Sequence, residues 1–273
     1  MAWFTDRHFF LLAVALYGAS AVYSVFLWRK GFRQDDHVNY FLLLAAFALH
    51  TAAMFQRGFS IAHCPVNNLY EATTFVAWAI VAAYLVIGLL PRLRFLGAFA
   101  SPVLLAIGVF ALMPALDPPR GPQPQFSGAL VSLHAATILL AYGAFGLGAV
   151  ASAMFLMQQH DLKFHKLRAV LSLLPPIQRL ESIAIRLVFA GFVLFTIGLE
   201  AGRFLPRPAH AAYWTDPKVL WSIFLWFVYL ALLILRQLRA ASSRSLAISL
   251  IAAFVFLLLT FWGTTLLSPL HHP

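Results

Sequence analysis

The chain has 273 residues, 62% of them hydrophobic and 10% charged, against roughly 45–50% and about 25% in a soluble domain. That composition excludes an ordinary water-soluble enzyme and predicts an all-α, polytopic integral membrane protein, with residues 1–273 forming a single transmembrane domain. The formal charge of +10 sits in short clusters between apolar runs, which reads as membrane topology and argues against nucleic-acid binding.

A spanning helix needs about 20 mostly apolar residues, and eight such stretches follow one another: residues 8–28, 39–57, 71–90, 95–115, 128–157, 183–200, 218–236 and 245–267. The first, from Phe9 to Trp28, is longer than the apolar core of a signal peptide and lacks a clean basic lead, so a retained span is expected. Cys64 is the one cysteine, which leaves no internal disulfide. The Pro118-Pro119-Arg120-Gly121-Pro122 segment reads as a stiff turn. The fifth stretch is long enough to protrude from the bilayer, and its Ala144, Gly148 and Ser152 form a small-residue row for close helix packing. Residues 158–182 are basic, with Leu167, Val170, Leu171 and Leu174 at helical spacing, and are expected to lie as a ledge along the lipid interface.

Lys and Arg set the orientation. With the N-terminus outside, thirteen of the 19 fall on the inner side and six on the outer, which places both termini outside. His63, His210, His271 and His272 then lie in outer connections or the tail. His50 and His134 sit in the outer halves of spans 2 and 5, about 10 Å below their outer ends at 1.5 Å per residue. The polar chemistry therefore gathers on the outer side.

His50, Met54 and Arg57 share one helical face. His50 is expected to support an outer cavity by hydrogen bonding, with Arg57 or Glu71 as partner, rather than to ligate. Arg57 is placed either to snorkel to headgroups or to pair with an anionic group. The run His63-Cys64-Pro65-Val66-Asn67-Asn68-Leu69-Tyr70-Glu71 is costly at a membrane boundary unless used there, although Glu71 also suits the positive start of a helix. The loop with Arg203, Arg207, His210, Tyr213 and Trp214, followed by Trp221, fits an interfacial aromatic belt or a face for a porphyrin with acidic edges. Imidazoles at several segment ends, without an acidic metal cage, point to a haem protein.

These residues resemble the CcsA-type cytochrome c assembly proteins, including the shorter HemX-like branch of that superfamily. The likeness runs in order through four places. They are His50-Thr51 with Arg57, His63-x-Pro65, Asn68-Leu69-Tyr70-Glu71 and Trp78; Leu133-His134 with Tyr142; Leu180-Glu181 through Gly191-Phe192, Gly198 and Gly202 to Tyr213-Trp214-Thr215-Asp216-Pro217-Lys218 and Trp221; and Gly263 with Leu266-Leu267 and Leu270-His271. The resemblance implies haem b as cargo, presented to apocytochrome c, with a second membrane assembly subunit and lipid as further partners. It implies His134 and one of His271 or His272 as iron ligands, with Tyr213, Trp214 and Trp221 as an aromatic platform and Arg203 and Arg207 near the propionates. His50, Arg57, His63 and Glu71 would line the surrounding cavity. No activity of the chain alone is implied, only a part in a cytochrome c synthase complex. The Tyr213–Lys218 segment lacks the family's second tryptophan, and an apolar residue near Ile234 stands where the family has an embedded histidine. These departures point toward the HemX-like branch, which implies instead a membrane factor acting on haem-synthesis enzymes by protein contact.

Overall fold

The computed structural model describes residues 5–29, 37–61, 68–89, 91–117, 129–163, 177–205, 213–268 and 270. Its helices are α1 (Asp6–Arg29), α2 (His37–Ile61), α3 (Leu69–Gly88), α4 (Gly97–Ala111), α5 (Ala129–Lys163), α6 (Ile177–Arg203), α7 (Pro217–Gln237) and α8 (Ser243–Leu266), with 3-10 turns at Pro91–Leu96, Pro114–Leu116 and Tyr213–Thr215. Among the described residues there is no strand, and eight helices are long and apolar enough to cross a membrane. The protein is an all-α, multi-pass membrane protein, and each expected span has its helix.

The differences lie at the ends. The span expected from residue 95 enters α4 through the Pro91–Leu96 3-10 turn, and α4 carries Pro102 internally; a proline there withholds one backbone donor from the helical ladder. α5 has 35 residues, about 50 Å at 1.5 Å per residue, well beyond a hydrocarbon core of about 30 Å. The fifth helix is therefore long enough to protrude, as its stretch of sequence suggests. Of the expected ledge, residues 158–163 extend α5 and 177–182 open α6. The remainder, like the Pro118–Pro122 turn, lies outside the described residues.

The helices form two groups of four. In the first, α1 packs on α2 and α4, and α3 on α4; in the second, α5 packs on α6 and α8, and α7 on α8. α3 and α5 join the groups and are the most enclosed helices of the bundle. Their backbones meet at Gly143, where a Cβ would come within 2.5 Å of the Ala79 Cβ and 2.8 Å of the Ala79 carbonyl carbon. Only glycine permits that approach.

Lipid tails are as apolar as leucine, so packing and interhelical hydrogen bonds, rather than hydrophobic burial, hold such helices together. Phe145 of α5 stacks on Tyr229 of α7 with ring centroids 3.7 Å apart. The Trp78 indole donates to Thr51 at 2.9 Å, tying α3 to α2, and the Trp226 indole donates to Thr196 at 2.9 Å, tying α7 to α6; bonds of this kind contribute about 0.6–2 kcal/mol each. Ala144 and Ser152 of the small-residue row are buried, as close packing requires. Polar residues recur along the buried face of α1. The Ser20 hydroxyl bonds the Asn39 amide at 2.6 Å, and Ser24 bonds Ser101 at 2.9 Å.

Candidate functional site

Successive spans alternate in direction, so the starts of α1, α3, α5 and α7 share one membrane face with the ends of α2, α4, α6 and α8. Two polar centres stand at that face, one in each four-helix group.

The first is built on Arg57, near the end of α2 and only 6% exposed. Its Nε donates to Glu71 Oε1 at 2.7 Å, and its Nη1 donates to Asp6 Oδ2 at 2.9 Å and to Asp117 Oδ2 at 3.2 Å. Its Nη2 donates to Asp117 Oδ1. The planar fork of the guanidinium suits this use, because its three nitrogens together reach three carboxylates. Asn68 caps α3, accepting from the Glu71 amide at 2.8 Å, and its Nδ2 donates to Asp117 Oδ1 at 2.9 Å. Two cations lie against the Tyr70 ring, the Arg57 guanidinium carbon 5.1 Å and that of Arg7 5.5 Å from its centroid. Burial raises the Asp117 carboxyl, but hydrogen bonds and charge from Arg57, with help from Arg7 and Asn68, outweigh it and hold the group below the ordinary carboxylate value. Arg57 is thus engaged by carboxylates of the chain itself. It binds α1, α2, α3 and the chain after α4 into one ionic lock.

His50 lies deeper in this group and is fully buried. Its Nδ1 and the Tyr17 hydroxyl are hydrogen-bonded at 3.0 Å, and Phe10 packs on the ring with centroids 4.9 Å apart. The partner is thus Tyr17, not Arg57 or Glu71. His50 Nε2 is buried without a hydrogen bond.

The second centre gathers around His134, early in α5. Its Nδ1 lies 2.7 Å from the Gly198 carbonyl oxygen of α6. A carbonyl only accepts, so Nδ1 carries the proton and Nε2 keeps its lone pair. One turn on, Gly202 makes room for the ring: a Cβ there would lie 2.9 Å from His134 Cε1. Beside it, Lys218 of α7 sets its ammonium 4.4 Å from the Phe261 ring centroid. The Tyr213–Thr215 turn brings Tyr213 and Trp214 edge to face at 5.1 Å. Trp214 is 61% exposed, and Arg203, paired with Glu200 at 3.0 Å, sits 6.0 Å from its ring.

Asp216 closes this centre. Its Oδ1 accepts from the Lys218 and Val219 amides at 2.9 and 3.2 Å, capping α7. Its Oδ2 accepts from the Ser268 hydroxyl at 2.7 Å and the Leu270 amide at 3.3 Å. The Asp-Pro opening of a span is the readable signal of such a cap, with proline at the first helical position. The bond to the tail has no local signature.

The family model of the cytochrome C assembly protein matches residues 66–272. The chain belongs to that family. It is similar to proteins named cytochrome c biogenesis protein CcsA. That of Prochlorococcus marinus strain NATL1A is 27% identical, over 88% of this chain and 86% of the relative. That of Gloeobacter violaceus is 26% identical over 76% and 77%, and that of Microcystis aeruginosa is 28% identical over 75% and 77%.

Of the residues expected at a cofactor site, the structure brings His134, Arg203, Tyr213 and Trp214 to the second centre and sets His50, Arg57 and Glu71 in the first. Trp221 belongs to the interior. It is 9% exposed, and its indole nitrogen is buried without a hydrogen bond. His63, Arg207, His271 and His272 lie outside the described residues. The second centre suits an axial haem ligand, because a metal-binding histidine characteristically donates its other N–H to a carbonyl or carboxylate. His134 does so.

Proposed function

We propose that this protein serves cytochrome c biogenesis as a haem-handling membrane protein, holding haem b as cargo at the second centre. The reading rests on family membership, and one observation carries it: the Nδ1 bond of His134 to Gly198, which leaves Nε2 with a lone pair for a metal, beside a glycine that makes room for the ring. His134 is one axial ligand, and His271 or His272 is the other, carried by a tail whose root is tied beside the start of α7. Tyr213 and Trp214 offer aromatic surface to the macrocycle, and Arg203 and Arg207 pair with propionates. The protein's work is ligation and positioning. Bond formation to an apocytochrome c draws its chemistry from the haem and the thiols.

Absorbance of the purified, haem-titrated protein tests this. The expected wild-type spectrum is that of a low-spin, bis-histidine haem. His134→Ala should open a position that added imidazole fills. Single changes at His271 or His272 should be mild and the double alanine variant severe. Unchanged low-spin spectra in His134→Ala and in the double variant would overturn the site.

The orientation accompanies this reading: both centres and both termini face the outside of a bacterial inner membrane, in keeping with the distribution of basic residues. An impermeant thiol reagent on intact cells, in a Cys64→Ala background, should label Ala209→Cys and spare Ser172→Cys. The reverse pattern would invert the topology.

A second reading, a HemX-like factor acting on haem-synthesis enzymes by contact, is favoured by the burial of Trp221, which leaves Trp214 as the exposed tryptophan of the Tyr213–Trp221 segment. Absence of a Soret band after haem titration would select it.

A further inference from the structure

The second centre contains a carboxylate whose two oxygens are divided between unrelated partners. Asp216 Oδ1 receives the backbone amides that open α7, while Oδ2 receives the Ser268 hydroxyl and the Leu270 amide just past α8. The residue is 3% exposed and Ser268 is 1% exposed. A helix cap needs one oxygen. The second oxygen joins positions more than fifty residues away, 52 for Ser268 and 54 for Leu270, immediately before His271 and His272.

We propose that Asp216 is a positioning residue that latches the chain just past α8, at Ser268 and Leu270, to the start of α7, and through it governs ligation by the tail histidines. The haem consequence rests on the reading given above; the latch itself does not. The latch spans the Tyr213–Thr215 turn, the α7 start with Lys218, and the root of the tail. Those three pieces are therefore coupled while Oδ2 is engaged, and the root of the tail at Ser268 and Leu270 is loosened when it is not.

Chemistry separates the two roles. Asp216→Asn keeps an oxygen for the α7 cap but replaces the second acceptor with an N–H donor group, which cannot accept from the Leu270 amide. Ser268→Ala leaves the cap untouched and removes one tail bond. The test uses the full chain in a Cys64→Ala background, with a nitroxide at Leu270→Cys, a change that keeps the residue 270 amide.

With Asp216 present the label should be immobilised, and Asp216→Asn should remove most of the immobilised component, with Ser268→Ala giving a smaller loss. An unchanged unfolding temperature in Ser268→Ala guards against a merely misfolded protein. Haem spectra supply the second readout: Asp216→Asn should lose low-spin character, and imidazole should restore it, as in the His271/His272 double alanine variant. A label equally immobile in both variants overturns the latch. A freed label with an unchanged low-spin spectrum overturns its positioning role. A freed label in a protein that takes up no haem supports the latch and defeats the haem reading alone.

Discussion

His134 on α5 and Gly202 on α6 are fitted to each other: a Cβ at Gly202 would stand 2.9 Å from His134 Cε1 and 3.0 Å from Nδ1. In an unconstrained helix interior, Gly→Ala stabilises by about 1 kcal/mol. Here the added methyl meets a ring already held by the Gly198 carbonyl. Overpacking of this kind costs about 1–3 kcal/mol, so Gly202→Ala should destabilise the protein and weaken haem uptake together. Thermal unfolding in detergent, with a haem titration, checks the sign. A more stable Gly202→Ala protein with normal uptake would show that the ring is not confined there.

The eight spans were legible because length and apolarity alone decide them. The partners of Arg57 were not. Asp6 and Asp117 lie 51 and 60 positions away, and no local spacing reports a contact of that range. Trp221 was read with Tyr213 and Trp214 because it follows them closely, but the Asp216 cap starts a helix between them. The buried face of that helix runs through Trp221, Leu225, Tyr229 and Leu232, so helical phase turns Trp221 inward. His134 was singled out through the family resemblance, as a histidine in the outer half of span 5. Its tautomer depends on the Gly198 carbonyl, which belongs to another helix 64 positions on.

Among the described residues, Arg57 is the side chain that meets Asp6, Glu71 and Asp117 together. Removing one partner of a buried ionic group leaves uncompensated charge and costs about 3–5 kcal/mol. Arg57→Ala should fall in that range. Arg57→Lys should recover only part of it, because a point ammonium cannot reproduce the planar fork. Unfolding temperature and membrane yield measure both. A Lys variant as stable as wild type would reduce the lock to simple charge balance.

Acid should open the same lock. The folded Asp117 carboxyl lies below its ordinary value, so the folded state binds its proton less readily than the unfolded state. The stability it contributes is complete above the ordinary aspartate value of about 3.9. It is lost as pH falls through the lowered folded value. Asp117→Asn should remove that part of the acid dependence and also lower stability at neutral pH. Unfolding temperatures of the two proteins, followed downward from pH 7, should converge in acid. Parallel curves throughout would assign the acid loss to other groups.

His50 and Tyr17 form a closed pair in the first group, and the pair predicts what His50 does not do. Its Nδ1 is engaged by the Tyr17 hydroxyl, Phe10 covers the ring, and its surroundings belong to α1, α2 and α3 rather than to the His134 centre. His50→Ala strands the Tyr17 hydroxyl in a sealed interior, at a cost of about 1–3 kcal/mol, and leaves a void besides. Tyr17→Phe strands His50 Nδ1 in the same way. Because each single change orphans the partner of the other, the double variant should be less damaged than the two losses added, with a coupling of about 0.5–3 kcal/mol. Haem spectra of all three variants should keep the wild-type coordination, whatever happens to yield. A clean change from six- to five-coordinate haem in His50→Ala, with folding intact, would make His50 a ligand and move the haem site into the first four helices.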